Sequence, residues 1–230
     1  MQALIPPQTQ TEKDLYLVQI ENFQKRLNTP PNAKEVFKTP DGKADDLPIS
    51  YVEMTLDELF FGQWSIKKFQ SKVIANEVVG ELELEVFHPV TKITITRTGA
   101  AAIQIMVDKV PDNLQGKAKN AWALDINNKK PNALDMAYPK LKAECLKNAA
   151  KTLGKVFGRD LNRREKVDTY QPVLSGSEKS KIATVTRAIA NGDAEGAKAL
   201  MRMMSLSDEA KEMLNAQLAE KASEVSTNIH

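Results

Sequence analysis

The sequence has few of the residues and motifs on which metal or nucleotide chemistry depends. Cysteine occurs once, at Cys145, and histidine occurs only at His88 and His230, so no cluster has the spacing of a zinc site. Both glycine-rich loops that cradle nucleotide phosphates, G-x-x-x-x-G-K-[ST] and G-x-G-x-x-G, are missing. We therefore expect no metal, no cofactor, and no ATP-driven motor or recombinase activity.

Long apolar runs are also missing. No segment approaches the roughly 20 apolar residues of a membrane-spanning helix, and the first residues lack the basic and apolar blocks of a signal peptide. A single cysteine cannot form an intrachain disulfide, which is typical of a reducing compartment. These absences predict a cytoplasmic protein without a membrane partner. With 42% hydrophobic residues, the chain can still build a substantial core.

The basic residues are concentrated in one region, although the net charge is only +2. Residues 139–170 contain nine Lys or Arg and four Asp or Glu, whereas residues 171–230 contain seven and eight. The first region is therefore where an anion is expected to bind.

The pattern of apolar residues predicts an α+β fold. Residues 64–74, 77–88 and 92–98 alternate between apolar and polar side chains, and residues 99–106 can continue the third segment, which indicates an antiparallel meander. The strongest helical pattern follows, from Pro139 to Phe157, with a proline at its start. The expected core is a three-stranded antiparallel meander packed on this long basic helix, a βββα arrangement, with a small C-terminal helical domain.

A change of composition near Pro172 predicts a domain boundary, with one domain over residues 1–172 and a second over 173–230. The first domain begins with a predicted helix from Lys13 to Leu27. The second contains three amphipathic segments, approximately residues 178–190, 194–203 and 207–222. Its methionines suit either the core of a helix bundle or a docking site for another protein.

The predicted helix carries a row of lysines. On a helical wheel, Lys147, Lys151 and Lys155 fall within about 60° of Lys140. Two interpretations are open, a solvated charged face or a track that follows phosphates. The row has only Glu144 to balance it, which favours the track.

Other residues extend the predicted DNA-binding surface. Lys117 and Lys119 lie in a polar excursion around Trp122, which either stacks bases or anchors a long loop to the core. The complete predicted set is Lys140, Lys147, Asn148, Lys151, Lys155, Arg159, Arg97, Lys117 and Lys119.

One segment resembles a known family. Residues 143–158, AECLKNAAKTLGKVFG, are similar to the principal helix of the RAD fifty-two family of single-strand annealing proteins, which includes phage annealases. Phe61 and Gly62, followed by Trp64, resemble the family's turn into its first strand. The order of three strands and a helix is also similar, and the resemblance covers roughly residues 51–158.

The resemblance implies ATP-independent binding and annealing of single-stranded DNA in homologous recombination and repair, inside a bacterial host cell. It implies a homo-oligomeric ring or helix, whose basic groove holds the DNA backbone and the annealing duplex intermediates. Lys147 and Lys151 match basic groove positions, whereas Asn148 stands where eukaryotic members have arginine. The C-terminal domain is expected to engage a single-strand-binding protein or a companion exonuclease. No catalytic residue is expected.

Two other functions are open on the sequence alone. A magnesium-dependent enzyme that processes nucleic acid would use acids such as Asp57, Glu58, Asp125 and Asp135. An adaptor would instead act through its C-terminal helices and bind nucleic acid incidentally.

Overall fold

The computed structural model describes residues 9–164 and 178–227. These residues divide into a sheet body, residues 27–164, and a helical body, residues 9–26 with 178–227. Within the described residues, no helix is both long and apolar enough to cross a membrane.

The helices and strands follow one another in a simple order. They are α1 (Gln10–Asn28), β1 (Phe37–Lys38), β2 (Asp45–Asp46), α2 (Ile49–Phe60), β3 (Trp64–Ile74), β4 (Glu77–Phe87), β5 (Thr94–Gln104), α3 (Gly116–Leu124), α4 (Ala133–Lys151), α5 (Glu178–Ala190), α6 (Ala194–Met203) and α7 (Asp208–Thr227).

The sheet body contains the predicted meander. Strands β3, β4 and β5 pair antiparallel in that order. Because side chains alternate across a strand, Leu82 and Leu84 of β4 are buried on one face, while the glutamates between and beside them lie on the other. The uneven pattern of β3 has a cause, since its register with β4 shifts between Ile66 and Lys68, as in a β-bulge.

Helix α4 packs closely on the apolar face of this sheet because two strand positions lack a side chain. A Cβ atom at Gly80 would lie 3.0 Å from Cδ2 of Leu141, and one at Gly99 would overlap the Cys145 carbonyl oxygen and the Ala149 amide. The Cys145 thiol donates a hydrogen bond to the Gly80 carbonyl oxygen over 3.3 Å. The expected packing of three strands on a long helix is confirmed.

The bounds predicted for this helix were wrong. Instead of Pro139 to Phe157, α4 spans Ala133–Lys151 and contains Pro139 inside it. The residues before Pro139 extend the helix by more than a turn. The helix cannot continue through Gly154, whose backbone is fully extended at φ −178° and ψ 173°. A Cβ atom there would overlap the Leu27 carbonyl oxygen, so this close approach also depends on glycine.

The helical body contains more of the chain than expected. Its three C-terminal helices α5, α6 and α7 agree with the predicted amphipathic segments. Helix α1 joins them, because Val18 is buried in the same core as Val185, Leu200 and Leu214. The structure therefore divides the chain differently from the predicted domains of residues 1–172 and 173–230.

Contact between α4 and the sheet leads to a test of stability. Gly99→Ala should lower the free energy of unfolding by about 1–3 kcal/mol, because the added methyl overlaps backbone atoms of α4 that cannot move independently. Urea unfolding measures the effect. Ala102→Val, at an exposed position of the same strand, is the control and should change stability little. Equal stability of the Gly99 variant and the wild type would contradict the close packing.

Candidate nucleic-acid interface

The structure places the four lysines of the predicted row in different surroundings. Lys140 is exposed on α4, and Lys151 is the last residue of that helix and half-buried. Lys155 lies beyond the helix, in a short 3-10 turn. The helical wheel therefore does not apply to Lys155.

Lys147 is buried, which corrects the prediction that it faces outward. The whole residue is 5% exposed. Its ammonium nitrogen lies 2.6 Å from Oδ2 of Asp46 and 2.6 Å from Oε1 of Glu144. The group is thus surrounded by protein and by two carboxylates. It does not form part of the exposed surface of the described chain.

The carboxylate of Asp46 comes from the β1–β2 hairpin, which covers this part of α4. Lys38 forms an ion pair with Asp45 over 2.7 Å across the hairpin. Asn162 holds the same segment, since its side chain donates to the Asp45 carbonyl oxygen over 2.7 Å and accepts from the Asp45 amide over 2.8 Å. The hairpin is therefore fixed by its own ion pair and by two residues that follow it in the chain, Lys147 and Asn162.

The charges around Lys147 determine what it can bind. Burial lowers the pKa of the ammonium group, but the hydrogen bonds that it donates to Asp46 and Glu144 outweigh burial and raise the pKa above its usual value. Lys147 therefore stays charged at neutral pH, and its charge is already balanced by two carboxylates. Its role in the single chain is to hold the hairpin on α4.

The end of α4 carries a different group of residues, the α4 C-terminal cluster of Asn148, Lys151 and Arg159. Asn148 donates to the Ala100 carbonyl oxygen of β5 over 2.9 Å, and Lys151 donates to Oδ1 of Asn148 over 3.2 Å. Arg159 donates from Nε to the Lys151 carbonyl oxygen over 3.0 Å, and from its Nη2 to the Thr152 carbonyl oxygen. These hydrogen bonds form a continuous chain from the sheet to Arg159.

The two cations of this cluster are not neutralised by acids. Among the described residues, neither Lys151 nor Arg159 has a carboxylate oxygen within 4.0 Å. Arg159 occupies the C-terminal end of α4, where unpaired carbonyl groups carry partial negative charge. By satisfying two of these carbonyls, Arg159 reduces the local repulsion that an approaching anion would experience.

Arg97 lies at the same end of the sheet as the cluster. The backbone of Ala101 contacts the Cys145 thiol, and Gly99 faces Ala149. Positions nearer the start of β5 therefore lie nearer the C-terminal end of α4. Arg97 is the next residue on that face, and its side chain is exposed. The sheet therefore brings a third cation to the side of α4 on which Lys151 and Arg159 lie.

Lys155 is engaged within the protein. Its ammonium nitrogen lies 3.6 Å from Oδ2 of Asp160, and both side chains are mostly buried, at 17% and 16% exposure. An internal ion pair of this kind orders the chain after α4. The structure thus separates Lys155 from the cluster formed by its neighbours.

The excursion around Trp122 is held on the sheet body. The Trp122 indole nitrogen is buried. The backbone carbonyl oxygen of Trp122 accepts a hydrogen bond from Nδ2 of Asn128 over 3.0 Å. The buried side chain of Asn76, in the β3–β4 turn, donates to the Ala123 carbonyl oxygen. These contacts favour an anchoring role for Trp122 over base stacking. Lys117 and Lys119 are exposed on α3.

The acidic face of the sheet is balanced by lysines. Lys67 lies 3.0 Å from Oε1 of Glu85, and Lys68 lies 3.2 Å from Oε1 of Glu83. The bulge in β3 allows two consecutive lysines to reach alternate glutamates of β4. A face with paired charges of both signs has little net attraction for phosphate, so the α4 side is the better candidate.

Two of the four acids proposed for a magnesium site, Asp57 and Asp125, have local roles. Asp57 accepts a hydrogen bond from Nε1 of Trp64 over 2.7 Å, and Asp125 accepts from the Asn127 amide over 2.9 Å, at the start of a 3-10 turn. Within the described parts of the chain, no three His, Cys, Asp or Glu side chains are grouped so that they could hold a metal. Burial raises the pKa of the Cys145 thiol, which disfavours a reactive thiolate.

Sequence reasoning missed Asp46 and Asn162, the residues that fix the hairpin and neutralise Lys147. Neither belongs to a recognisable motif. The available signal was weak: paired aspartates, Asp45 and Asp46, stand directly before an apolar residue in an otherwise polar loop.

Comparison with known proteins adds no family assignment. No protein-family model matches the chain, and no curated protein matches it. The likeness to annealing proteins rests on the sequence motifs alone.

Lys147 provides a test that separates a structural from a DNA-contacting role. Lys147→Met should lower the free energy of unfolding by about 1–3 kcal/mol, since it leaves two carboxylates together without their cation. In a double-mutant cycle with Asp46→Asn, the two changes should be coupled. Lys140→Met, on the exposed part of the same helix, is the control and should change stability by less than about 0.5 kcal/mol. Unchanged stability together with no coupling would contradict the buried ion pairs and would favour a solvent-exposed Lys147.

Proposed function

We propose that this protein binds single-stranded DNA through its phosphate backbone and anneals complementary strands without nucleotide hydrolysis. The proposal rests on Lys151 and Arg159 of the α4 C-terminal cluster, which have no carboxylate oxygen within 4.0 Å among the described residues, together with Arg97 on β5. The family resemblance of residues 143–158 points to the same activity. The protein would act in recombination and repair, in the cytoplasm of a bacterial host cell.

Annealing requires charge neutralisation rather than covalent chemistry. Each lysine or arginine near a phosphate releases condensed counterions, and this reduces the repulsion between two approaching strands. Contacts to phosphates leave the base edges free to test complementarity. A basic cluster on rigid elements is sufficient for this activity, and no cofactor or catalytic residue is needed.

The structure revises which residues carry the proposal. Lys151, Arg159 and Arg97 are the contacts to DNA, and Asn148 positions Lys151 through its hydrogen bond. Lys147 supports the interface indirectly, because it fixes the hairpin that lies against α4. Lys140 extends the surface along the helix, about 16 Å from Lys151 at 1.5 Å per residue. Lys117 and Lys119 remain proposed contacts on α3.

Self-association is the second part of the proposal. Strands β3 and β5 are edge strands of 11 residues each, and within the described chain neither pairs with a further strand on its outer side. Long unpaired edges are usually covered by another segment. Repeated heterologous contacts between copies give a closed ring or a helix, which would join the cation clusters into one continuous track.

The helical body is proposed to bind a protein partner, such as a single-strand-binding protein or a companion exonuclease. Its charge is nearly balanced, so it is not a second track for phosphate. Met204 is buried and Met201 and Met203 are partly buried against its core, which favours a core role for these methionines. Met213 is 42% exposed.

Charge reversal tests the proposed DNA contacts. The combination of Arg97→Glu and Lys151→Glu should weaken binding of a labelled oligonucleotide by roughly tenfold or more at about 0.1 M salt, because it reverses two charges that face phosphates. Fluorescence anisotropy measures the affinity. The melting temperature should change little, since neither side chain forms an ion pair with a described residue.

The control is Lys72→Glu, which reverses one charge on the exposed side of β3 and is compared with Arg97→Glu and Lys151→Glu as single variants. It should bind DNA nearly as well as the wild type. If Lys72→Glu weakens binding as much as those two single variants, the α4 side of the sheet is not the interface.

Salt and sequence dependence test the kind of contact. The logarithm of the affinity should fall linearly with the logarithm of salt concentration, with a slope of about −0.7 for each phosphate contacted. Oligonucleotides of unrelated sequence should bind with similar affinity, because the base edges are not read. A shallow slope combined with one strongly preferred sequence would contradict backbone binding.

A further inference from the structure

The helical body contains an open groove between α6, the loop that follows it, and α7. The groove has a volume of about 770 Å³. Its apolar floor includes Met201, Met204 and Leu206, of which Met204 and Leu206 are each 8% exposed. Methionine side chains adapt to differently shaped apolar groups, so such a floor suits the side chains of a partner.

The rim of the groove is basic. Lys198, Arg202 and Lys211 line it, and none of the described residues that line it is acidic. Lys198 pairs with Glu195 over 2.9 Å and Lys211 pairs with Asp208 over 3.1 Å, but these two acids are 87% and 97% exposed. Ion pairs as exposed as these contribute little, so a ligand carboxylate can replace either acid.

Arg202 adds a stronger anchor. Among the described residues, it has no carboxylate oxygen within 4.0 Å. A guanidinium group can bind a carboxylate through two parallel hydrogen bonds, which fixes the orientation of the bound group. The groove therefore combines an apolar floor with at least one cation that is open to an anion.

We infer that this groove binds an acidic peptide segment of a partner protein, with large apolar side chains on the floor and flanking carboxylates at the basic rim. A nucleic acid fits less well, because none of the groove's described residues is aromatic and so none of them can stack a base. The volume is suited to a few side chains. The inference deepens the partner-binding part of the proposed function and rests on it, but its test uses no DNA.

A direct binding experiment tests the groove. The probe is a fluorescein-labelled peptide of about ten residues in which aspartates flank a leucine and a phenylalanine, titrated with the full chain. One comparison peptide has lysines in place of the aspartates, and another has serines in place of the two apolar residues. The acidic apolar peptide should bind roughly tenfold more tightly than either comparison peptide, because only this peptide can contact both the apolar floor and the basic rim.

Variants of the chain locate the site. Lys198→Glu combined with Arg202→Glu should weaken peptide binding by roughly tenfold, while leaving the melting temperature and oligonucleotide binding unchanged. Lys13→Glu reverses one exposed charge of the same body outside the groove; it is the control for Arg202→Glu alone and should bind the peptide normally. Met201→Ser should also weaken binding, through the floor rather than the rim.

Three outcomes would overturn the inference. The first is equal binding of the three peptides, and the second is unchanged peptide binding by both groove variants. The third is a change in oligomer mass by light scattering in the Lys198 and Arg202 variant without loss of peptide binding, which would make the groove an interface between copies. Loss of oligonucleotide binding by the Arg97 and Lys151 variant does not affect this result, so the two proposals can fail separately.

Discussion

The close contact of α4 with the sheet at Gly80 and Gly99 is the constraint on which the proposed interface depends. Because Gly99 lacks a Cβ atom, the helix backbone lies directly on β5, and Gly80 leaves room for the Leu141 side chain on β4. The Asn148 side chain then reaches the Ala100 carbonyl oxygen. That hydrogen bond begins the chain of contacts that holds Lys151. A larger residue at Gly99 would move α4 away from β5 and would separate the C-terminal end of α4 from Arg97.

Charges on the sheet body fall into two groups with different roles. Lys147 and Lys155 are ion-paired and mostly buried, and they order the hairpin over α4 and the turn after it. Lys151 and Arg159 have no such partner among the described residues, although hydrogen bonds fix their positions. The proposed annealing would use the second group, since a cation attracts phosphate most strongly if its charge is not already balanced. Lys155, which pairs with Asp160, orders the chain directly beside Arg159.

Most of the fold could be predicted from the sequence, because the strand and helix periodicities are local and the segments are long. The site could be predicted only in part. The helical wheel placed Lys140 on the exposed surface, as the structure does, but it also assigned Lys147 to solvent, since Asp46, 101 residues earlier, supplies the contact that buries it. Lys155 was misplaced because the extended backbone of Gly154 ends the helical geometry. Both errors arise from tertiary contacts that no local pattern contains.

The central claim is that the protein pairs complementary DNA strands without nucleotide or metal. The most direct test mixes two complementary oligonucleotides, labelled with donor and acceptor dyes, in EDTA and without ATP, and follows energy transfer with and without protein. The proposal predicts faster pairing in the presence of protein, with both strands intact on a denaturing gel. No acceleration of pairing, or shortening of the strands once magnesium is added, would contradict it.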